Sequence, residues 1–493
     1  MLLLVGFRQE AKPTFEVPKN FPEPVYNFKE NELTAKKTAL GKALFYDPIL
    51  SSDGTVSCGS CHQQFAGFTQ AGHPQSHGID DKLTRRNALP LMNLAWHTSF
   101  GWDGGINNLD LFAVSPIQNE HEMGSRLSEV LERLRQNEKY RSAFLEAFAN
   151  DAITTEHFLK ALSQFMLTLV SANSKYDKYM RNEGEKLTEQ EIQGLKLFTQ
   201  KCASCHAGVL FTDFSYHNNG LKPDTADKGR AEITLKTEDL YRFKVPSLRN
   251  IAVTAPYMHD GSLTDLAAVL SHYSEHTYDS QYLDIALKTK GKAGILLKKT
   301  EKEQIIAFLK TLTDEAFLKD NKFSEQDIEV SNENEIPDYS TADNAVRENI
   351  NESLLPYFTL KQGLLDENEG MINQRTDALL ARLMHIDVSL LKNTEQAFFT
   401  KQLSSIKADA NHIKKVRETS HRRLHFSMVS ESMFQLIKAF KCNRKTVYFY
   451  ACPEANQQRG GYWLEEEVSA SNPYFDKQVQ VSKVLKEKLF GVR

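Results

Sequence analysis

Cysteine pairs completed at once by histidine occur twice in this chain, as Cys58-Gly59-Ser60-Cys61-His62 and Cys202-Ala203-Ser204-Cys205-His206. Two thiols three positions apart reach the two vinyl groups of one porphyrin, and the next imidazole falls beneath the iron as its proximal ligand. A lone pair of cysteines also suits a zinc knuckle or a redox dithiol. Two pairs, each followed by His, point instead to two covalently attached haems of the c type, held by Cys58, Cys61 and His62 and by Cys202, Cys205 and His206.

Helical elements are expected to carry both motifs. Thr34 to Tyr46 reads as a helix before the first, and a loop rich in Gly, His and Pro between Gly67 and Asn87 is long enough to fold over a haem face. From Leu127 to Met180 apolar residues recur at three and four, as in Phe158, Leu159, Leu162, Phe165, Met166 and Leu169, the stripe of a helix packed on a core. Thr188-Glu189-Gln190-Glu191 has the form of a capping box opening the helix that delivers Cys202. Each haem motif is therefore expected to end a helix.

The fold expected is mainly α: two tandem cytochrome c-like haem domains, then a separate helical-bundle domain with a short β element. The boundaries fall at 30–180 and 181–322 for the haem domains and at 346–493 for the bundle. Residues 323–345 form an acidic, polar linker and 1–29 an N-terminal extension. Amphipathic stretches through Leu354, Leu379, Ile406 and Phe434 build the bundle, and Val447-Tyr448-Phe449-Tyr450 alternates as a strand does.

The chain has 493 residues, 41% hydrophobic and 25% charged, which is globular composition with material for two or three cores. A net charge of -4 gives nucleic acid nothing to bind. Haem attachment to this motif takes place outside the bacterial cytoplasm, so an exported, periplasmic protein is expected. Met1-Leu2-Leu3-Leu4-Val5-Gly6-Phe7 then reads as the remnant of a signal peptide or a misassigned start. No apolar run approaches the roughly 20 residues needed to span a bilayer.

Over about residues 30 to 320 the sequence resembles the bacterial diheme cytochrome c peroxidases and their relatives of the MauG type. Beyond the haem motifs the likeness rests on Thr84-Arg85-Arg86-Asn87-Ala88, Gly101-Trp102-Asp103-Gly104-Gly105, Pro116-Ile117 with Glu122-Met123-Gly124, Phe243 to Asn250 and Thr254 to Gly261. The resemblance implies that the N-terminal haem reacts with peroxide and the C-terminal haem stores and relays electrons. It makes Glu122 the distal acid-base group and His77 the loop histidine that binds the iron at rest, with His73 a local competitor. Trp102 becomes the ring between the haems. Asn87, with the backbone carbonyls of Thr254 and Pro256, matches a calcium site, and Lys244, Arg249 and His259 match polar groups at the haem propionates and between the haems.

Two positions depart from that pattern. Phe112 stands where the family usually has a distal glutamine, so positioning of peroxide is left to Glu122 and water. Tyr273 stands where ordinary members carry an axial methionine, as in the MauG branch; a phenolate lowers the potential of that iron. His272 and Met258 are alternative ligands.

Residues 346 to 480 resemble an uncharacterised domain attached to periplasmic metal-efflux adaptor proteins, through His425-Phe426-Ser427, Val447 to Pro453, Gly461-Tyr462-Trp463-Leu464 and Asn472-Pro473-Tyr474-Phe475. That family carries Cys-Pro-Met and a later Cys, soft donors suited to copper(I). Here the motif is Cys452-Pro453-Glu454, and the later stretch Val479-Gln480-Val481-Ser482 has no cysteine. A docking or structural role is favoured over copper binding, and Cys442 and Cys452 could pair.

The function expected is reduction of hydrogen peroxide to water with electrons from a small periplasmic cytochrome c or cupredoxin. The alternatives are a MauG-like oxidase of a partner protein acting through a high-valent diheme state, and a non-enzymatic diheme electron carrier. Two haem c groups and Ca²⁺ are the expected cofactors, and the resemblance allows a homodimer.

Overall fold

The computed structural model describes residues 15–150, 152–325, 336–452, 455, 460–467, 471–475 and 483–491. The N-terminal heptapeptide, linker residues 326–335, Pro453-Glu454 and the stretch 479–482 discussed above lie outside the described residues. The chain divides into two compact units, residues 1–331 and 332–493.

The first unit holds both haem motifs, in two halves built on the same device. In the first half α1 (Ala35–Tyr46), capped by the Thr34 side chain, leads to α2 (Cys58–Cys61). Then come α3 (Val114–Gln118), α4 (Leu127–Gln136), α5 (Glu138–Phe148) and α6 (Thr155–Thr168). The second half has α7 (Lys175–Met180), α8 (Glu189–Lys201), α9 (Ala231–Thr234), α10 (Leu266–Ser271), α11 (Lys299–Lys310) and α12 (Glu315–Lys319). In each half a glycine brings two helices into backbone contact. A Cβ on Gly41 of α1 would lie 1.9 Å from the Ala161 carbonyl oxygen of α6, and one on Gly194 of α8 would lie 1.9 Å from the Gln304 oxygen of α11.

The capping box at Thr188 is present, with the Thr188 hydroxyl accepting from the Glu191 amide. The expectation that each haem motif ends a helix holds for the second motif alone. There α8 runs into Cys202 as its C-cap. In the first half α1 stops at Tyr46, a 3-10 turn at Pro48–Leu50 follows, and Cys58 opens a short helix of its own. Asp47 is the reason: its side chain caps the Ile49 amide and accepts from the Tyr140 hydroxyl at 2.6 Å, so the chain turns before it reaches the motif.

The halves are interleaved. Phe317, Leu318 and Phe323, which follow α11, pack in the core of the first half with Leu44, Phe45 and Phe68. Tyr46 donates its hydroxyl to the Phe323 carbonyl at 2.7 Å, and Gln64 donates to the Phe317 and Asp320 carbonyls. Across the middle, Arg86 makes two 2.7 Å hydrogen bonds to Asp227, and Arg85 pairs with Glu232. Strands are brief here: β1 (Tyr216–His217) pairs with β2 (Phe243–Lys244), and β3 (Lys288–Thr289) with β4 (Lys292–Ala293).

The second unit is a bundle of α13 (Asn344–Glu352), α14 (Leu354–Leu365), α15 (Glu369–Met384), α16 (Asn393–Lys415) and α17 (Thr419–Phe440). Its buried face joins Leu360, Leu379, Phe399, Ile406, Phe426 and Leu436. The strand expected at Val447 is β5 (Val447–Cys452), the centre of an antiparallel sheet in the order β6-β5-β7, with β6 at Gly461–Glu465 and β7 at Val484–Leu489. Cys442 and Cys452 are both buried, and no disulfide joins them, so the pairing considered for them is not formed.

Candidate haem sites

In both motifs the histidine is fixed in the same way. His62 Nδ1 lies 2.8 Å from the Phe68 carbonyl, and His206 Nδ1 lies 3.0 Å from the Phe211 carbonyl. Such a bond sets the tautomer and leaves Nε2 as the coordinating atom. Burial lowers both imidazoles below their ordinary values, which keeps them neutral as metal ligands must be. The accepting residues, Phe68 and Phe211, both have positive φ, 60° and 54°. The chain is turned sharply at that position in each half to present the carbonyl.

Burial pushes the thiols of Cys58, Cys61 and Cys202 up to about 12, with further contributions from Glu122 at the first two. Thiols held neutral this way are disfavoured as anions, and a thioether carries no such cost. Gly59 between the first pair lies under the Tyr46 ring, where a Cβ would come 2.4 Å from it.

Glu122 stands beside the first motif. Its backbone amide donates to the Asn119 carbonyl and its Oε1 accepts from the Asn119 amide at 2.8 Å. Burial raises its carboxyl above the ordinary range, against the lowering effect of that bond. The loop carrying His77 is pressed onto the same turn. A Cβ on Gly78 would lie 2.2 Å from the His121 oxygen, and the Ile79 amide donates to the Glu122 carbonyl at 2.8 Å. His77 Nδ1 meets Asp81 at 2.5 Å, and its ring packs edge-on against His73, 5.3 Å away.

The second motif opens onto a cavity of about 1480 Å³, its open mouth included. Cys202, Cys205, His206, Met258 and Tyr273 line it together with Trp102, Asn87, Thr254 and Pro256. Tyr273 lies in a five-residue π-helical turn, His272–His276, that continues α10. Burial, then the thiols of Cys202 and Cys205, raises its phenol. His272, considered as a rival ligand, is not part of the wall; its Nε2 is 2.9 Å from the Asn219 carbonyl. Met258 lines the cavity, and its sulfur accepts from the Asn219 amide at 3.2 Å.

Trp102 is fixed by its Nε1 donating to the Asn87 carbonyl at 2.8 Å, and its ring is edge-on to His259. His259 stacks on Phe243 at 3.6 Å, and its buried Nδ1 has no hydrogen-bond partner among the described residues. Lys244, on the same wall, donates to the Ser99 carbonyl, and burial lowers its ammonium to about 8. A buried cation and an unsatisfied imidazole nitrogen on an apolar wall fit a bound group carrying carboxylates, as haem does. Arg249 corrects the expectation made for it. It is fully buried away from that wall, its guanidinium forming two 2.8 Å bonds to Asp177 and one to the Val209 carbonyl, so it ties segments together inside the fold.

Two groups escaped the sequence reading. His97 faces a smaller cavity with Phe100, Phe112 and Lys244; burial and then the Lys244 charge drive its pKa well down, and its Nε2 has no partner among the described residues. His217 bridges Asp284 at 2.5 Å and Asp213 at 3.2 Å on the wall of the large cavity. Neither lies in a motif, and both depend on contacts from distant segments.

Two like-built halves, each presenting a partly buried Cys-x-x-Cys-His whose histidine is set by a backbone carbonyl, with a carboxyl of raised pKa beside the first and a cavity-lining tyrosine at the second, define a two-haem c-type oxidoreductase. The family described as "Di-haem cytochrome c peroxidase" matches residues 35–185, and one described as "Protein of unknown function (DUF3347)" matches 354–445. Methylamine utilization protein MauG of Methylorubrum extorquens is 37% identical over 61% of this chain and 84% of its own. Cytochrome c551 peroxidase of Nitrosomonas europaea is 36% identical over 57% and 80%. Among solved structures, a MauG-like protein associated with microbial copper homeostasis superimposes with a TM-score of 0.58 at 33% identity, over 63% of this chain and 98% of that one. The chain belongs to the di-haem cytochrome c peroxidase/MauG family, and it is an oxidoreductase of mainly α fold.

Proposed function

We propose that the protein is a periplasmic diheme peroxidase: hydrogen peroxide, two electrons and two protons give two waters, with the electrons delivered by a small cytochrome c or cupredoxin. The observation that carries this reading is Glu122. It is a carboxyl of raised pKa, oriented by Asn119, next to Cys58 and Cys61 and under the His77 loop. As a carboxylate it accepts a proton from one peroxide oxygen and, as the acid so formed, returns it to the other, which leaves as water. Haem held by Cys58, Cys61 and His62 would supply the peroxide-reactive iron, and haem held by Cys202, Cys205 and His206 the store of electrons. His77, on the loop pressed against Glu122, would move aside to admit peroxide to the first site. Trp102, which lines the cavity at the second motif, would provide the path between the two.

A calcium ion would be held on the same cavity wall. The Asn87 side-chain nitrogen donates to the His73 and Pro74 carbonyls, which leaves its oxygen as the ligand atom, and Asn87, Thr254 and Pro256 line one cavity. Hard neutral oxygens and water suit Ca²⁺. Periplasmic location rests on the haem attachment chemistry; among the described residues no helix is long and apolar enough to cross a membrane.

One pair of residues favours a second reading, a peroxide-dependent oxidase of a partner protein. Tyr273 on the cavity wall would favour a more oxidised second iron, and Phe112 stands where the resembling enzymes usually carry a glutamine. Peroxide turnover with a reduced small cytochrome or cupredoxin separates the two. Sustained turnover that collapses in Glu122→Gln is the expected result. No turnover at any degree of prior reduction, with a new near-infrared band after peroxide alone, would replace the first reading by the second.

A further inference from the structure

Three histidines of the C-terminal unit converge where α16 hands over to α17. His412 lies in the last turn of α16, and His421 and His425 lie four residues apart, on one face of the first turns of α17. The connection is only Val416 to Glu418, and Arg422 Nε, donating to the Ile413 and Val416 carbonyls, clamps it. The ring centroids are 4.3 Å (His412–His425), 5.1 Å (His421–His425) and 5.4 Å (His412–His421) apart. One nitrogen of each lies within 4.8 Å of the others.

We propose that His412, His421 and His425 form a mononuclear site for a divalent transition metal of borderline softness, Cu²⁺ or Zn²⁺. Histidines at i and i+4 on a helix present two nitrogens to one ion, and the preceding helix contributes the third. Ligands about 2.0 Å from a tetrahedral ion stand about 3.3 Å from each other. The nitrogens, all within 4.8 Å of one another, approach that spacing. Asp409 is placed as the outer carboxylate of such a site: its Oδ1 is 2.8 Å from His425 Nδ1, fixing the ring and leaving Nε2 as the ligand atom. His425 is buried, whereas His412 and His421 are half-exposed, so an ion has both a rigid seat and an entry path. Packing does not call for histidine here, since Ile413 and Phe426 beside the cluster already fill the core. The donors are all imidazole. This selects copper(II) and zinc over the copper(I) that thiolates would favour.

The test uses the full-length holoprotein without a polyhistidine tag. After treatment with a mild chelator it is dialysed against Cu²⁺ or Zn²⁺ with glycine as competitor, and metal is counted against haem iron. The expected result is one ion per chain beyond the two irons, with nitrogen superhyperfine structure in the copper electron paramagnetic resonance spectrum. His421→Gln and His412→Gln, both at half-exposed positions, should each lower affinity more than about 100-fold, and Asp409→Asn roughly tenfold. Circular dichroism and the haem absorption should stay unchanged. Retention of no extra ion by the parent protein, or equal retention by folded His412→Gln and His421→Gln variants, would overturn the proposal whatever becomes of the peroxidase reading.

Discussion

The two haem halves are alike where they hold a haem and unlike where they would use it. Both cross two helices at a glycine, both set a histidine by a carbonyl from a positive-φ phenylalanine, and both hold their cysteines half-buried. The first then adds a carboxyl of raised pKa and a loop histidine, whereas the second adds a phenol and a cavity walled by Trp102. A shared scaffold with unequal lids teaches that attachment and reactivity are separable layers. Substitutions can address each in turn.

Glu122→Gln tests the inequality most directly. It should lower kcat/KM for peroxide by about 10²–10⁴-fold and leave both haem spectra intact. In the parent enzyme the carboxylate form accumulates as pH rises through a value above the ordinary 4.5, so activity should climb across that window. A limb that persists in the variant would assign it to another group.

Asp177→Asn strikes the scaffold instead. It leaves Arg249 buried and unpaired, at a cost of about 3–5 kcal/mol in thermal or denaturant unfolding. Burial pulls the Asp177 carboxyl up, but hydrogen bonds and charge from Arg249 outweigh it and hold it below the ordinary 3.8. Its stabilisation is therefore complete above about that pH and lost as pH falls further. A parent protein no more acid-labile than the variant would contradict this.

Gly41→Ala and Gly194→Ala ask whether the halves are equivalent as scaffolds. Each should cost about 1–3 kcal/mol, because the new methyl meets a carbonyl across a helix crossing. Unequal losses measured by calorimetry would show that one crossing yields more readily. Tyr273→Phe has the smallest expected effect on stability and the most local one on spectra. It should alter the absorption of the second haem and not the first; an unchanged spectrum would remove the phenol as a ligand.

Residues whose chemistry lies in consecutive positions were legible in sequence: the two motifs, the helix before Tyr46, the Thr188 cap, and the strand at Val447. Groups whose roles arise from distant partners were not. Arg249 finds Asp177 across 72 residues, His217 finds Asp284 across 67, and His97 is defined by burial against Lys244. No period in the chain encodes such meetings. The strand β7 also escaped, because its Val484 and Leu485 are exposed and it lacks the near-continuous burial that marks β5. The helix expected to end at Cys58 failed for a local reason, the side-chain competition of Asp47 for backbone amides.

The return of Phe317, Leu318 and Phe323 into the first core bears on the order in which the first half is completed. In a chain made from its N-terminus Cys58 and Cys61 are present long before these three side chains. The interior of the first half is therefore incomplete until late, and its final consolidation waits on a contact closing more than 250 residues of chain, as Tyr46 to Phe323 does at a separation of 277.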